Sequence, residues 1–319
     1  MTETPLEPAP AGLADFVGRD GIWLKREDVH ELGVFKWRGA LPVVADLARA
    51  GHEAVVTAST GNHGAAVAWA CREVGIRAVV FVPPGSAPPK LANLDRLDAK
   101  VRVAGRDFDE AKDAARTYAE EAGLPFFEDG AEPLQYDAYG AIGDEILVQS
   151  TVPPVAVLVP VGNGALAGGI GAAIGRRQPD VTCIGVVARE MPVMAESHAA
   201  GVPVDVPAGS TIADGLAVRV AIPLAVERLH SAIDRMVRVS ERAMAVALVA
   251  CHDAGLPVEP SAAAAVAAVR DGAGIEMPGP VVVVMTGRNV EGALVERARH
   301  DPDSFPGQRI TRERRGSTR

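Results

Sequence analysis

Four short stretches hold residue types that could do covalent chemistry. Lys36 lies in Gly33-Val34-Phe35-Lys36-Trp37-Arg38-Gly39-Ala40, just after the charged run Lys25-Arg26-Glu27-Asp28. An amine used covalently must be neutral for part of its cycle, which calls for desolvation or a neighbouring positive charge. Ser59-Thr60-Gly61-Asn62-His63-Gly64 reads as a strand-to-helix turn, where unpaired backbone N–H groups and the positive helix end receive an anion. Gly162-Asn163-Gly164-Ala165-Leu166-Ala167-Gly168 is a second such turn, whose glycines let main-chain N–H groups approach a phosphate. Thr286-Gly287-Arg288-Asn289 offers a hydroxyl where the chain turns away from an apolar run. Each stretch also has a plainer use. Lys36 could be a surface residue at a helix start, and Ser59, Thr60 or Thr286 could cap helices. The 162–168 turn fits a dinucleotide nearly as well as a single phosphate.

The elements that must position these residues alternate between strand and helix. Ile22-Trp23-Leu24 is the apolar part of an entry segment and strand over 13–28, and a helix runs from about Lys36 to Ala50, stopped by Gly51. Ala54–Thr57 is a strand, followed by a helix to about Gly75, strand Ala78–Val82, helix Lys90–Leu97, strand Lys100–Val103 and helix Phe108–Ala122. Pro125–Phe127 reads as a short strand and Gly140–Gln149 as a helix. Val155–Val161 is apolar on both faces, as a central parallel strand is. Helix 165–177, strand 182–187, helix 191–200, helix 222–230, strand 235–239, helices 241–254 and 261–270, strand 281–285 and helix 290–299 complete the chain. Such alternation implies an α/β protein with parallel sheets covered by helices. In these sheets sites form at the carboxyl ends of strands, where the three downstream motifs all fall.

Taken together and in order, the motifs resemble the fold-type-II pyridoxal-phosphate enzymes, the tryptophan synthase β-like family, and are closest to threonine and serine dehydratases and threonine synthase. The resemblance covers roughly residues 20–298. It implies that Lys36 forms the Schiff base with pyridoxal 5'-phosphate and that Phe35 packs on the ring. Asn62 would bond the ring oxygen, and Ser59, Thr60, Gly61, Asn62 and His63 would hold the substrate carboxylate. Gly162, Asn163, Gly164, Ala165 and Leu166 would cup the phosphate, and Thr286 would meet the ring nitrogen. Thr60 falls where serine racemases carry a proton-transferring serine, so it joins Lys36 as a candidate catalytic residue. A neutral hydroxyl at the ring nitrogen makes a weaker electron sink than a carboxylate partner would, which favours β-elimination or replacement over transamination. Thr211–Val218 is close to a threonine dehydratase segment, and Glu259-Pro260-Ser261 resembles a stretch near the cofactor. That gives Asp214 and Glu259 supporting roles.

Several positions depart from the family. Val34 replaces a serine, and Asn163 and Ala165 replace glycines. Tyr139 and Ala141 stand where dehydratases carry glutamine and threonine, so Tyr139 is expected to alter the substrate pocket. Val187 matches a metal-binding glutamate of serine racemase, so no metal is expected. The implied architecture is a large cofactor-binding domain of residues 1–42 and 148–319 and a small domain of 43–147, with the cofactor between them. Residues 300–319 are expected to be a loosely ordered, arginine-rich extension, and no regulatory domain is expected.

Composition limits the rest. The 319 residues are 48% hydrophobic and 23% charged, with net charge −9, which speaks against a nucleic-acid partner. Three scattered cysteines suit a reducing cytoplasm. There is no signal peptide pattern and no apolar run of membrane-spanning length. The expected activity is β-elimination from a β-hydroxy or β-substituted L-amino acid by a cytoplasmic enzyme, a homodimer as the family usually is. β-Replacement or a threonine-synthase-like reaction is the nearest alternative, and a catalytically silent relative is another. A nicotinamide-dependent oxidoreductase is a third, although the strand at 182–187 ends without the acid that a ribose needs.

Overall fold

The computed structural model describes residues 2–207, 209–274 and 278–306. Its larger sheet takes strands β1 (Leu6–Pro8), β2 (Ile22–Arg26), β6 (Ala156–Pro160), β7 (Thr182–Ala188), β8 (Arg235–Val239) and β9 (Val281–Met285), in the order β1-β2-β9-β6-β7-β8. Every pairing is parallel except β1 with β2 at one edge. Pro8 is tolerated there because an edge strand has no outer neighbour to bond. The smaller sheet, β3 (Ala54–Ala58), β4 (Arg77–Val82) and β5 (Lys100–Val103), is wholly parallel.

The strands apolar on both faces lie in the middle, β9 and β6 in one sheet and β4 in the other, because both their faces are covered. On β9, Val281, Val283 and Met285 pack towards α1 (Ala11–Val17), α10 (Glu241–Asp253) and α11 (Pro260–Arg270). Val282 and Val284 face α6 (Pro133–Gln149), α7 (Ala165–Arg177) and α9 (Pro223–Ala232). Helix α8 (Val193–Ala200) packs beside α9, and α12 (Gly292–His300) lies on α10. Helix α11 is buried from Pro260 to Val269, which explains an alanine-rich sequence with no polar stripe. In the smaller unit, α2 (Trp37–Arg49), α3 (Asn62–Val74) and α4 (Pro88–Arg96) cover one face and α5 (Phe108–Ala122) the other. Asp107 caps α5 by accepting from Glu110 N–H at 3.0 Å.

Four details differ from the sequence expectations. Residues 11–17 form a helix, where the sequence suggests an entry segment without a helix. Pro125–Phe127 makes a single bridge, Phe126 with Val56, because its neighbours leave the sheet at once. Helix α6 starts at Pro133, seven residues early; Tyr136, Ala138 and Tyr139 are buried between α2 and α7, so its first turns lack the polar face that marks a helix. Phe305 is buried against Arg297, and Arg242 bonds Asp303 at 2.7 Å, so residues 301–306 are packed, whereas 307–319 lie outside the described residues. The expected domain boundaries at 42/43 and 147/148 fall inside the unbroken helices α2 and α6.

Candidate active site

Lys36 stands at the N-terminus of α2, delivered by the loop 33–35, which is pinned to the end of β9. Phe35 N–H donates to Thr286 O at 3.0 Å, Arg288 N–H donates to Gly33 O at 2.8 Å, and Val34 bridges Gly287. The lysine loop therefore cannot move independently of Thr286. The Lys36 ammonium bonds Asp129 Oδ2 at 2.5 Å and sits 5.0 Å from the centre of the Phe35 ring. Both partners stay partly open to solvent, the Lys36 side chain at 16% and Asp129 at 23%.

Asp129 was not anticipated. It is the second acid of the pair Glu128-Asp129 after Phe127, at the carboxyl end of a segment that touches β3, and its Lys36 and His63 partners are remote in sequence. Gln135 Nε2 donates to Asp129 Oδ1 at 3.1 Å, while His63 Nδ1 lies 3.6 Å from that oxygen. Burial pushes the Asp129 carboxyl up, but the charge of Lys36 and its hydrogen bonds outweigh this and hold it well below the usual range. Burial pushes His63 the other way, towards the neutral ring.

The turn before α3 brings Ser59, Thr60, Gly61 and Asn62 beside this group. Ser59 is buried and its Oγ accepts from Gly61 N–H at 3.1 Å, which tightens the turn. Thr60 is half-buried. Asn62 spans to the other sheet: its Nδ2 donates to Glu259 Oε2 at 3.1 Å, and its Oδ1 accepts from Asn289 Nδ2 at 2.8 Å. Burial raises Glu259 to about 7, against the hydrogen bond from Asn62 and the charge of Lys36.

The glycine turn after β6 reaches the same place. Asn163 Oδ1 accepts from Ala165 N–H at 3.1 Å, and the Asn163 amide packs against Gly130, next to Asp129. A side chain at Gly162 would collide with the carbonyl of Gly215, and Gly164 has φ +98°. The turn thus presents bare backbone at the start of α7, with Ala165 and Leu166 opening the helix. Thr286 is 2% exposed and its hydroxyl has no hydrogen-bond partner. A buried unpartnered hydroxyl is costly, and a ring nitrogen is a fitting partner. With the lysine, the bare turn and Asn62, these residues fit pyridoxal phosphate.

Tyr139 is the exception among the expected site residues. It is 1% exposed, edge-on to Phe35 with ring centres 5.2 Å apart, and its hydroxyl fills the space beside Gly39. Close packing of α2 on α6 takes it into the core, where it backs Phe35.

Beneath Lys36, a buried charge network ties α2 to α6. Arg38 bonds Glu27 at 2.8 Å and Glu145 at 2.6 Å, Lys25 bonds Glu145 at 2.6 Å, and Thr4 Oγ1 donates to Glu27 at 2.5 Å. Two cations balance two anions, so every charge is paired away from water. Burial still raises Glu27 and lowers Lys25, the directions that disfavour each charged form.

Comparison with known proteins gives this arrangement its relatives. Residues 1–287 match the family described as pyridoxal-phosphate dependent enzyme. The chain is 36% identical over 283 residues to an L-threonine ammonia-lyase of Geobacter sulfurreducens, covering 86% of this chain and 70% of that protein. It is 34% identical over 289 residues to an L-threonine ammonia-lyase of Thermotoga maritima, covering 89% and 71%. Among solved structures, the processed form of threonine deaminase isoform 2 from Solanum lycopersicum superposes with a TM-score of 0.87 at 30% identity, over 93% of this chain and 87% of that one.

Proposed function

The chain belongs to the family of pyridoxal-phosphate dependent enzymes, and from that premise we propose that it is an ammonia-lyase acting on a β-hydroxy or β-substituted L-amino acid. It removes the β-group and releases a 2-oxo acid and ammonia. The observation that carries this is that the lysine loop is bonded to the backbone of Thr286, whose buried hydroxyl is left unpartnered, while Lys36 reaches through Asp129 and Gly130 to Asn163 in the bare turn ahead of α7.

Lys36 would be the covalent attachment point, and the N–H groups of Gly162–Leu166 would hold the phosphate. Asn62 would bond the ring oxygen, Phe35 would pack on the ring and Thr286 would meet the ring nitrogen. The bound group supplies an electron sink for the charge that develops at the substrate α-carbon. The turn Ser59–His63 holds the substrate carboxylate at the positive end of α3. Neutral Lys36 removes the α-proton as general base, and Thr60 is a hydroxyl available for proton transfer from the other side. The eliminated unsaturated amine then hydrolyses in water.

The natural substrates are free small amino acids such as serine or threonine, and the enzyme works in the cytoplasm as a homodimer. Its three buried free cysteines suit a reducing compartment, and sedimentation tests the dimer. Among the described residues no helix is long and apolar enough to cross a membrane.

Ammonia and 2-oxo acid should appear from serine or threonine with no second nucleophile added. Borohydride treatment of the loaded protein should fix the cofactor on Lys36, found by peptide mapping. Lys36→Ala should abolish both the trapping and turnover; a variant that keeps wild-type turnover overturns the assignment.

A further inference from the structure

The catalytic amine is already bonded to a carboxylate that no motif announces. Asp129 Oδ2 lies 2.5 Å from Lys36 Nζ, and both are partly open to solvent, so the pair faces the space where substrate must enter. Its other oxygen is engaged, accepting from Gln135 Nε2 at 3.1 Å, and the Gln135 Oε1 in turn accepts from Gly130 N–H at 2.8 Å. Tyr136 fixes the same loop by donating to Gly130 O at 2.7 Å. The carboxylate is therefore held by two buried residues of α6, with Oδ2 left to face Lys36.

The reaction poses a proton problem that this pair answers. A β-hydroxyl is a poor leaving group and needs a proton, while the α-proton ends on the Lys36 amine. The β-oxygen is only two bonds from the α-carbon, within the reach of a group that touches the base. The charged groups acting on Asp129 are Lys36 and His63, which burial keeps towards its neutral form, while the neighbouring Glu128 is paired with Lys112 and Arg116. Tyr136 and Tyr139 stand close by with their protons held by burial. Lys36 is thus the strong cation in direct contact with the Asp129 carboxylate. When its charge is spent, the carboxylate loses that stabilisation and becomes a better proton acceptor.

We propose that Asp129 is a catalytic proton relay between Lys36 and the leaving group, a role that rests on the β-elimination reading. Lys36 takes the α-proton, passes it to Asp129 Oδ2, and Asp129 delivers it to the β-oxygen as the carbon–oxygen bond breaks. The C–H electron pair forms the new double bond, the C–O pair leaves with the oxygen, and the proton completes water. The relay ends with Lys36 neutral and Asp129 ionised, as it began.

Asp129→Asn keeps an oxygen for the Gln135 amide but replaces the oxygen facing Lys36 by an amide nitrogen, so it removes both the ion pair with Lys36 and the ability to carry a proton. The holoenzyme is assayed on L-serine, whose hydroxide needs a proton, and on β-chloro-L-alanine, whose chloride needs none. Exchange of the α-hydrogen of L-alanine in deuterium oxide is followed alongside. The variant should lose about 100-fold or more on serine, stay within several-fold of wild type on chloroalanine, and keep its α-exchange. In cofactor-free protein, an amine-reactive reagent should label Lys36 faster in the variant, read by mass spectrometry. Equal losses on both substrates, or unchanged Lys36 labelling, overturn the relay. Loss confined to a cationic substrate such as 2,3-diaminopropionate, with serine turnover intact, overturns it in favour of charge recognition. Wild-type protein that releases no oxo acid from either substrate refutes the β-elimination reading itself, and the relay with it.

Discussion

Replacing Glu259 by glutamine should make the cofactor-free protein progressively more stable than wild type as pH rises. Glu259 is 6% exposed, and its carboxyl, pushed up by burial, titrates at about 7 in the fold, against 4.5 without the fold. Below the lower value both states hold the proton and the fold suffers no penalty. Between the two values the unfolded chain ionises while the folded one does not, so stability drains away as pH climbs. Above the folded value the loss is complete. That interval of roughly 2.5 units amounts to about 3 kcal/mol, or roughly 5 °C in Tm for a chain of this length. Glutamine keeps an oxygen for the Asn62 amide 3.1 Å away and has nothing to ionise. Thermal unfolding of both proteins by circular dichroism, from pH 5 to 8.5, gives the difference directly. Asp129, Glu27 and every other titrating group are common to both and cancel. A Tm difference that stays constant across this range refutes a buried, proton-holding Glu259.

Two other substitutions probe the site and its foundation. Thr286→Val removes a buried hydroxyl that has no partner, so cofactor-free stability should hold or rise by about 1 kcal/mol while cofactor affinity falls; thermal unfolding and equilibrium dialysis measure the two, and a loss of stability would mean the hydroxyl is bonded after all. Arg38→Met leaves Glu27 buried with Thr4 as its one remaining side-chain hydrogen-bond partner among the described residues, which should cost about 3–5 kcal/mol. Because burial already raises Glu27, it gains a proton as pH falls, so the Tm deficit of this variant should be smaller at pH 5 than at pH 8.

Much of this was legible from residue order. Val155–Val161 announced a central strand because a run apolar on both faces can only be covered on both, and 281–285 was legible as a strand. Strand ends then marked Ser59–Asn62, Gly162–Leu166 and Thr286 as a group, and the structure brings them together with Lys36. What stayed hidden depended on the third dimension. Asp129 meets Lys36 from 93 residues away, and no local spacing encodes that approach. Tyr139 was expected from the resemblance to alter the substrate pocket, yet packing of α2 on α6 draws it inwards. The early start of α6 went unseen for a related reason: a helix enclosed by its neighbours loses the polar stripe by which helices are read. The antiparallel strand β1, three residues long, is too short to leave a period.

The contact between Gly39 and Tyr139 constrains how such a site can change over time. Any side chain at position 39 would collide with the phenol ring, and the ring in turn backs Phe35. A lineage cannot enlarge residue 39 first; Tyr139 must shrink before it does, and the intermediate then carries a void behind Phe35. The two positions should therefore be found in matched combinations, a large residue at one with glycine at the other, with substitution histories in which position 139 moves first.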